Sequence, residues 1–149
     1  MLGGDIVLGG EESGGIGTKL HLPERDATVS ALLLAEVMAW HGKRLGELVG
    51  MLHREYGEHH YGRVDLTLME GQKEKALGYF GAPGLRSFLE WDVVKREDLD
   101  GVKIYLGEIG WAMVRASGTE PMLRAYSETT RPETTKRVLE EIARLARSF

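Results

Sequence analysis

Cysteine is absent from this sequence of 149 residues, which removes disulfides, thiolate catalysis and Cys-ligated zinc together. Positive charge is also in short supply. Nineteen Lys and Arg against 23 Asp and Glu leave a formal net charge of −4, so no strong attraction to nucleic acid is implied. Long hydrophobic runs are missing too. The most apolar segment, 27–40, is interrupted by Thr28, Ser30 and Glu36 and falls short of the ~20 apolar residues that a bilayer demands. It reads instead as a buried helix. Residues Met1-Leu2-Gly3-Gly4-Asp5 carry neither a basic cluster nor an apolar stretch of secretory length, and the expectation is a cytoplasmic protein with no membrane or nucleic-acid partner. There is no internal repeat and no low-complexity tract.

What is present is ordinary globular material with one outlier. Hydrophobic residues make up 42% and charged residues 28%, enough to bury a core and to set aside a disordered chain. Glycine, at 20 residues, is well above the usual ~7% and points to several tight backbone turns.

Residues 5–8 run straight into Gly9-Gly10, as a short buried strand does when it emerges and turns. Asp26 offers an N-cap to a helix starting at Ala27, and Gly42 is placed to end it. Leu45, Leu48, Val49 and Leu52 then repeat at the spacing of a second, amphipathic helix. Beyond about residue 54 the character changes. His59-His60-Tyr61-Gly62 reads as a linker or turn, Val64, Leu66 and Leu68 alternate as a strand would, and 71–80 forms a short helix. Segments 102–106 and 111–116 flank a glycine-bounded hairpin turn, 122–127 adds a strand, and a helix opened by Pro132 closes the chain. The expectation is an α+β chain. Residues 54–149 make an antiparallel four-stranded sheet with two helices, and residues 1–53 are the end of an α/β layer.

Two loops carry chemistry. In Gly9-Gly10-Glu11-Glu12-Ser13-Gly14-Gly15, glycines let the backbone approach a ligand while Glu11 and Ser13 project to one side of an extended segment. A carboxylate accepts from two hydroxyls and a serine both donates and accepts, which suits adjacent sugar hydroxyls. A solvated surface turn of the same composition is the alternative. In Arg115-Ala116-Ser117-Gly118-Thr119-Glu120-Pro121, the guanidinium can form two parallel charge-assisted bonds to phosphate oxygens. Ser117 and Thr119 add hydroxyls there, and Gly118 lets successive amides converge. The alternative is a hairpin with a buried Arg115 paired to a local carboxylate such as Glu120. His59 and His60 are adjacent and expected to be exposed, with no zinc-site spacing.

Together the loops resemble the sugar-recognition and phosphate-binding loops of the α-D-phosphohexomutases, the phosphoglucomutase and phosphomannomutase family. The likeness extends through Glu24-Arg25-Asp26-Ala27 and Leu99-Asp100-Gly101-Val102-Lys103-Ile104 and covers nearly the whole chain. It implies a four-domain enzyme in which a phosphoserine exchanges its phosphoryl group with hexose 1-phosphate or 6-phosphate through a bisphosphate intermediate. The C-terminal domain would have the TATA-box-binding-protein-like fold. Glu11 and Ser13 would hold sugar hydroxyls, Arg115, Ser117, Gly118 and Thr119 the phosphate that is not reacting, and Arg25 a second phosphate contact. The family's Ser-His-Asn nucleophile segment and its Mg²⁺-binding Asp-x-Asp-x-Asp loop are absent from this sequence. The resemblance is therefore to a C-terminal portion, residues 1–53 ending the third domain and 54–149 forming the fourth, with no metal site and no turnover of its own. Missing N-terminal domains are the implied partners, and apolar faces lacking neighbours are expected to make the chain self-associate. A non-catalytic module that senses a phosphorylated metabolite or another protein is the rival reading.

Overall fold

The computed structural model describes residues 6–11, 14–22, 24–69, 71–118 and 120–149. They divide into two compact units, Met1–Tyr56 and Gly57–Phe149. The division falls where a helix ends, a little beyond the expected boundary at 53.

In the first unit, β1 (Leu8–Gly10) pairs antiparallel with β2 (Ile16–Thr18), and two helices follow, α1 (Ala27–His41) and α2 (Leu45–Tyr56). The expected caps of α1 are in place. The Asp26 carboxylate accepts from the amides of Thr28 and Val29 at 2.9 and 3.0 Å. Gly42 closes the other end in the left-handed conformation, φ +60°, which glycine adopts without a Cβ penalty. The expected burial is not there. Ile6, Val7 and Leu8 are exposed, no residue of α1 is buried, and Trp40 is 85% exposed. The physical reason is that among the described residues of this unit the sheet is one hairpin, and two three-residue strands cannot cover a helix that is apolar all round.

The second unit holds the core. Strands β3 (His60–Thr67), β6 (Lys95–Glu97), β7 (Val102–Tyr105), β8 (Gly110–Ala116) and β9 (Met122–Thr129) form one antiparallel sheet in the order β3-β9-β8-β7-β6, and the short strands β4 (Ser87–Phe88) and β5 (Trp91–Asp92) pair separately. The expected four strands thus gain a fifth at the edge. The region read as a linker is already strand: His60 pairs with Thr129 and Gly62 with Ser127. His60 is half-buried, its Nε2 3.0 Å from Glu58, which corrects the expectation of an exposed pair of histidines.

Helices α3 (Gln72–Gly81) and α4 (Pro132–Ser148) pack on the sheet and on each other. Alternation decides which face they cover. Ala112, Val114, Leu123 and Ala125 are buried toward the helices, against Phe80, Val138, Leu139, Ile142 and Ala146, whereas Trp111, Met113, Arg115 and Arg124 fall on the other face by the period of two. Gly62 admits α4 closely, since a Cβ there would stand 2.8 Å from the end of Leu139. Buried hydroxyls fix the first turn of α4: Thr135 donates to the His60 carbonyl at 2.6 Å and meets Thr129 at 2.8 Å.

Candidate functional site

The site residues expected in the first unit lie on the β1–β2 turn and just before α1. Gly14, at φ +88°, turns the chain back so that the Glu11 amide donates to the Gly15 carbonyl at 2.9 Å. Arg25 comes to this turn. Its Nη1 donates to Glu11 Oε2, and Gly15 makes room, because a Cβ there would lie 2.8 Å from Arg25 Cδ. Glu11 and Arg25 line a concavity of about 260 Å³ with Gly9, Gly10, Gly15, Gly17 and Glu24. A carboxylate and a guanidinium thus share one glycine-walled hollow, a hydroxyl acceptor beside a planar cationic donor. Ser13, the other expected hydroxyl contact, lies outside the described residues.

In the second unit the expected residues sit where β8 passes to β9. Arg115 ends the outward face of β8, Ser117 and Gly118 follow it, and Thr119 lies outside the described residues. The Ser117 amide donates to the Met122 carbonyl at 2.9 Å and closes the hairpin. That amide is thus spent within the hairpin, and the hydroxyl is the polar group of Ser117 left to a ligand. Nothing would obstruct a Cβ at Gly118, so the loop is open there to an approaching group. Arg115 is not buried against Glu120. It is 42% exposed and its Nε lies 3.2 Å from Asp100 Oδ1.

The register arranges these charges in a row. Asp65 on β3 faces Arg124 on β9, and Arg124 faces Arg115 on β8. Like charges directly opposed on neighbouring strands repel, and neither end of the row cancels this fully. Asp65 is engaged by Arg63 through bonds of 2.8 and 2.7 Å. Those bonds, with the charges of Arg63 and Arg124, hold its carboxyl below the usual range. Arg124 Nε is shut off from solvent and has no acceptor among the described residues. Two arginines at paired positions of β8 and β9, next to an open turn, bring the donor chemistry that an oxyanion takes through several charge-assisted bonds.

Sequence reasoning named Asp100 only within the family likeness of 99–104, without a role, and did not single out Arg124, because a contact across strands leaves no trace in spacing. A larger concavity of about 660 Å³ runs along β3 and α4, and none of the expected site residues lines it. Among the described residues no helix is long and apolar enough to cross a membrane. No three His, Asp or Glu side chains converge there as a metal cage requires.

Family models agree with this architecture. Residues 69–145 match the phosphoglucomutase/phosphomannomutase C-terminal domain, and residues 1–56 match the alpha/beta/alpha domain III of the same proteins. The chain belongs to the phosphoglucomutase/phosphomannomutase family. It is 30% identical to a phosphoglucomutase/phosphomannomutase of Thermococcus kodakarensis, over 94% of this chain and 28% of that protein. It is 33% identical to a phosphoglucosamine mutase of Rubrobacter xylanophilus, over 96% of this chain and 29% of that one. The chain thus spans under a third of the length of these relatives. A crystal structure of a phosphoglucomutase/phosphomannomutase family protein from Burkholderia thailandensis has the same fold, with a TM-score of 0.62 at 18% identity over 93% of this chain and 27% of that one.

Proposed function

We propose that this chain is the sugar- and phosphate-binding C-terminal portion of a phosphohexomutase, an enzyme that interconverts hexose 1-phosphate and hexose 6-phosphate through a phosphoserine and a bisphosphate intermediate. The observation that carries the reading is the pairing of Arg115 with Arg124 beside the open Gly118 turn. Arg115, the Ser117 hydroxyl and the backbone at Gly118 take the phosphate that is not reacting, with Thr119 joining them by the family likeness. Binding energy from that remote group then positions the reacting one. Glu11 accepts from the sugar hydroxyls with Ser13 beside it, and Arg25 keeps the Glu11 carboxylate in place while its remaining donors reach toward the ligand. Neither a Ser-His-Asn nucleophile nor an Asp-x-Asp-x-Asp loop occurs in these 149 residues. The chain alone therefore binds without turnover. Relatives named for glucosamine as well as for glucose and mannose phosphates keep the substrate class at hexose phosphate.

Calorimetric titration tests the reading. Glucose 1-phosphate binds the chain, glucose alone binds far more weakly, and Arg115→Ala lowers affinity by about tenfold or more, the scale of one lost charge-assisted hydrogen bond. Equal affinity in the wild-type chain and Arg115→Ala contradicts it.

A further inference from the structure

We propose that Asp100 is a positioning residue for Arg115, clamping its guanidinium at the mouth of the β8–β9 connection so that it meets an oxyanion already oriented. The proposal rests on the reading of that connection as an anion site.

The first support is the contact itself, Asp100 Oδ1 at 3.2 Å from Arg115 Nε. A carboxylate at Nε approaches a guanidinium from its side, and the fork of the two terminal amino groups is the edge that then takes an oxyanion bidentately. The second is the rigidity of the turn that carries Asp100. Gly101 has φ +91°, and a Cβ there would stand 2.4 Å from the Val114 carbonyl oxygen and 3.0 Å from Arg115 Cα. The backbone after Asp100 thus lies directly on the backbone of Arg115, and the carboxylate is delivered from a fixed point. The third is the neighbour on the other side. Arg124 faces Arg115 across the strands and repels it, while Asp65 beyond is bound by Arg63. Without Asp100 the exposed Arg115 side chain swings away from Arg124, and its orientation has to be recovered at the moment of binding at a cost in rotamer entropy.

A carboxylate near a bound dianion also repels it, so positioning and repulsion predict opposite signs for Asp100→Asn. If Asp100 positions Arg115, affinity falls when its charge is removed. If its field dominates, affinity rises.

The experiment uses the full chain with ¹⁵N-labelled arginine side chains and glucose 1-phosphate as the probe. In the wild-type chain the Arg115 Nε–H resonance, assigned by its loss in Arg115→Lys, is resolved and slow to exchange. In Asp100→Asn it moves to the position of a solvated arginine, the affinity for glucose 1-phosphate drops about fivefold or more, and the backbone amide spectrum away from 98–102 and 113–118 stays superimposable. Asp100→Glu recovers part of both signals. An unaltered Nε–H resonance, or affinity in Asp100→Asn equal to or tighter than wild type, overturns the proposal. A wild-type chain indifferent to glucose 1-phosphate overturns the anion-site reading and this proposal with it, whereas wild-type binding with an indifferent Asp100→Asn overturns this proposal alone.

Discussion

Gly101 sits where two demands meet. Its φ of +91° belongs to the region that L-residues avoid, and the space a Cβ would need is filled by the backbone of Val114 and Arg115, which cannot move aside as a flexible side chain would. Gly101→Ala is therefore expected to destabilise the chain by roughly 3 kcal/mol, read as a lowered urea midpoint with an unchanged slope. A midpoint equal to wild type contradicts the close packing of this turn on β8. At this scale the sequence was legible where chemistry is carried by contiguous residues. Arg115, Ser117 and Gly118 announce themselves as a polar, glycine-bearing loop, and Glu11 stands among glycines. Their partners were not legible, because Asp100 reaches Arg115 across a strand pair and Arg25 reaches Glu11 by folding back over Gly15.

Helix α1 was readable from its ends. Asp26 caps it, and the hydrogen bond from the Val29 amide, with smaller contributions from His21 and the Thr28 amide, holds the Asp26 carboxyl below its ordinary value of 3.8. A carboxyl whose pKa is depressed by folding stabilises the folded form above its unfolded pKa and loses that contribution as pH falls through the folded value. Amide exchange at Thr28 and Val29 is thus expected to keep its protection from neutral pH down to about pH 4 and lose it below, while Asp26→Asn, which keeps a capping oxygen without the titration, shows no such loss. Protection in the wild-type chain that persists to pH 2 contradicts the cap. Strand β3 was equally plain from its alternation, and β7 and β8 from the glycine-bounded turn between them. Strand β6 was not, since Lys95-Arg96-Glu97 has no apolar residue, and what anchors it is Arg96 donating to the carbonyls of Phe80 and Leu85 at 3.0 and 3.3 Å. The apolar run of α1 states a need for cover, not that the cover is present, and its exposure agrees with the expectation of apolar faces lacking neighbours rather than with that of a buried helix.

Across the whole molecule, apolar burial is uneven. The buried hydrophobic residues of the core all belong to the second unit, from Leu66 to Ala146, while Leu32, Val37, Trp40 and Leu52 of the first are exposed. Stability follows apolar area removed from water, so the second unit is the self-sufficient part and the exposed helices of the first are where we expect self-association. Under the proposed reading the chemistry is divided between the two units as well, a carboxylate and a guanidinium in the first, a pair of arginines and an open turn in the second. A backbone ¹⁵N titration of the whole chain tests that division of labour most directly. Inorganic phosphate and glucose 1-phosphate are both expected to shift the amides of Arg115, Ser117 and Gly118, and these shifts are lost in Arg115→Ala. Phosphate shifts centred anywhere else, or a glucose 1-phosphate response that survives Arg115→Ala, would contradict the account.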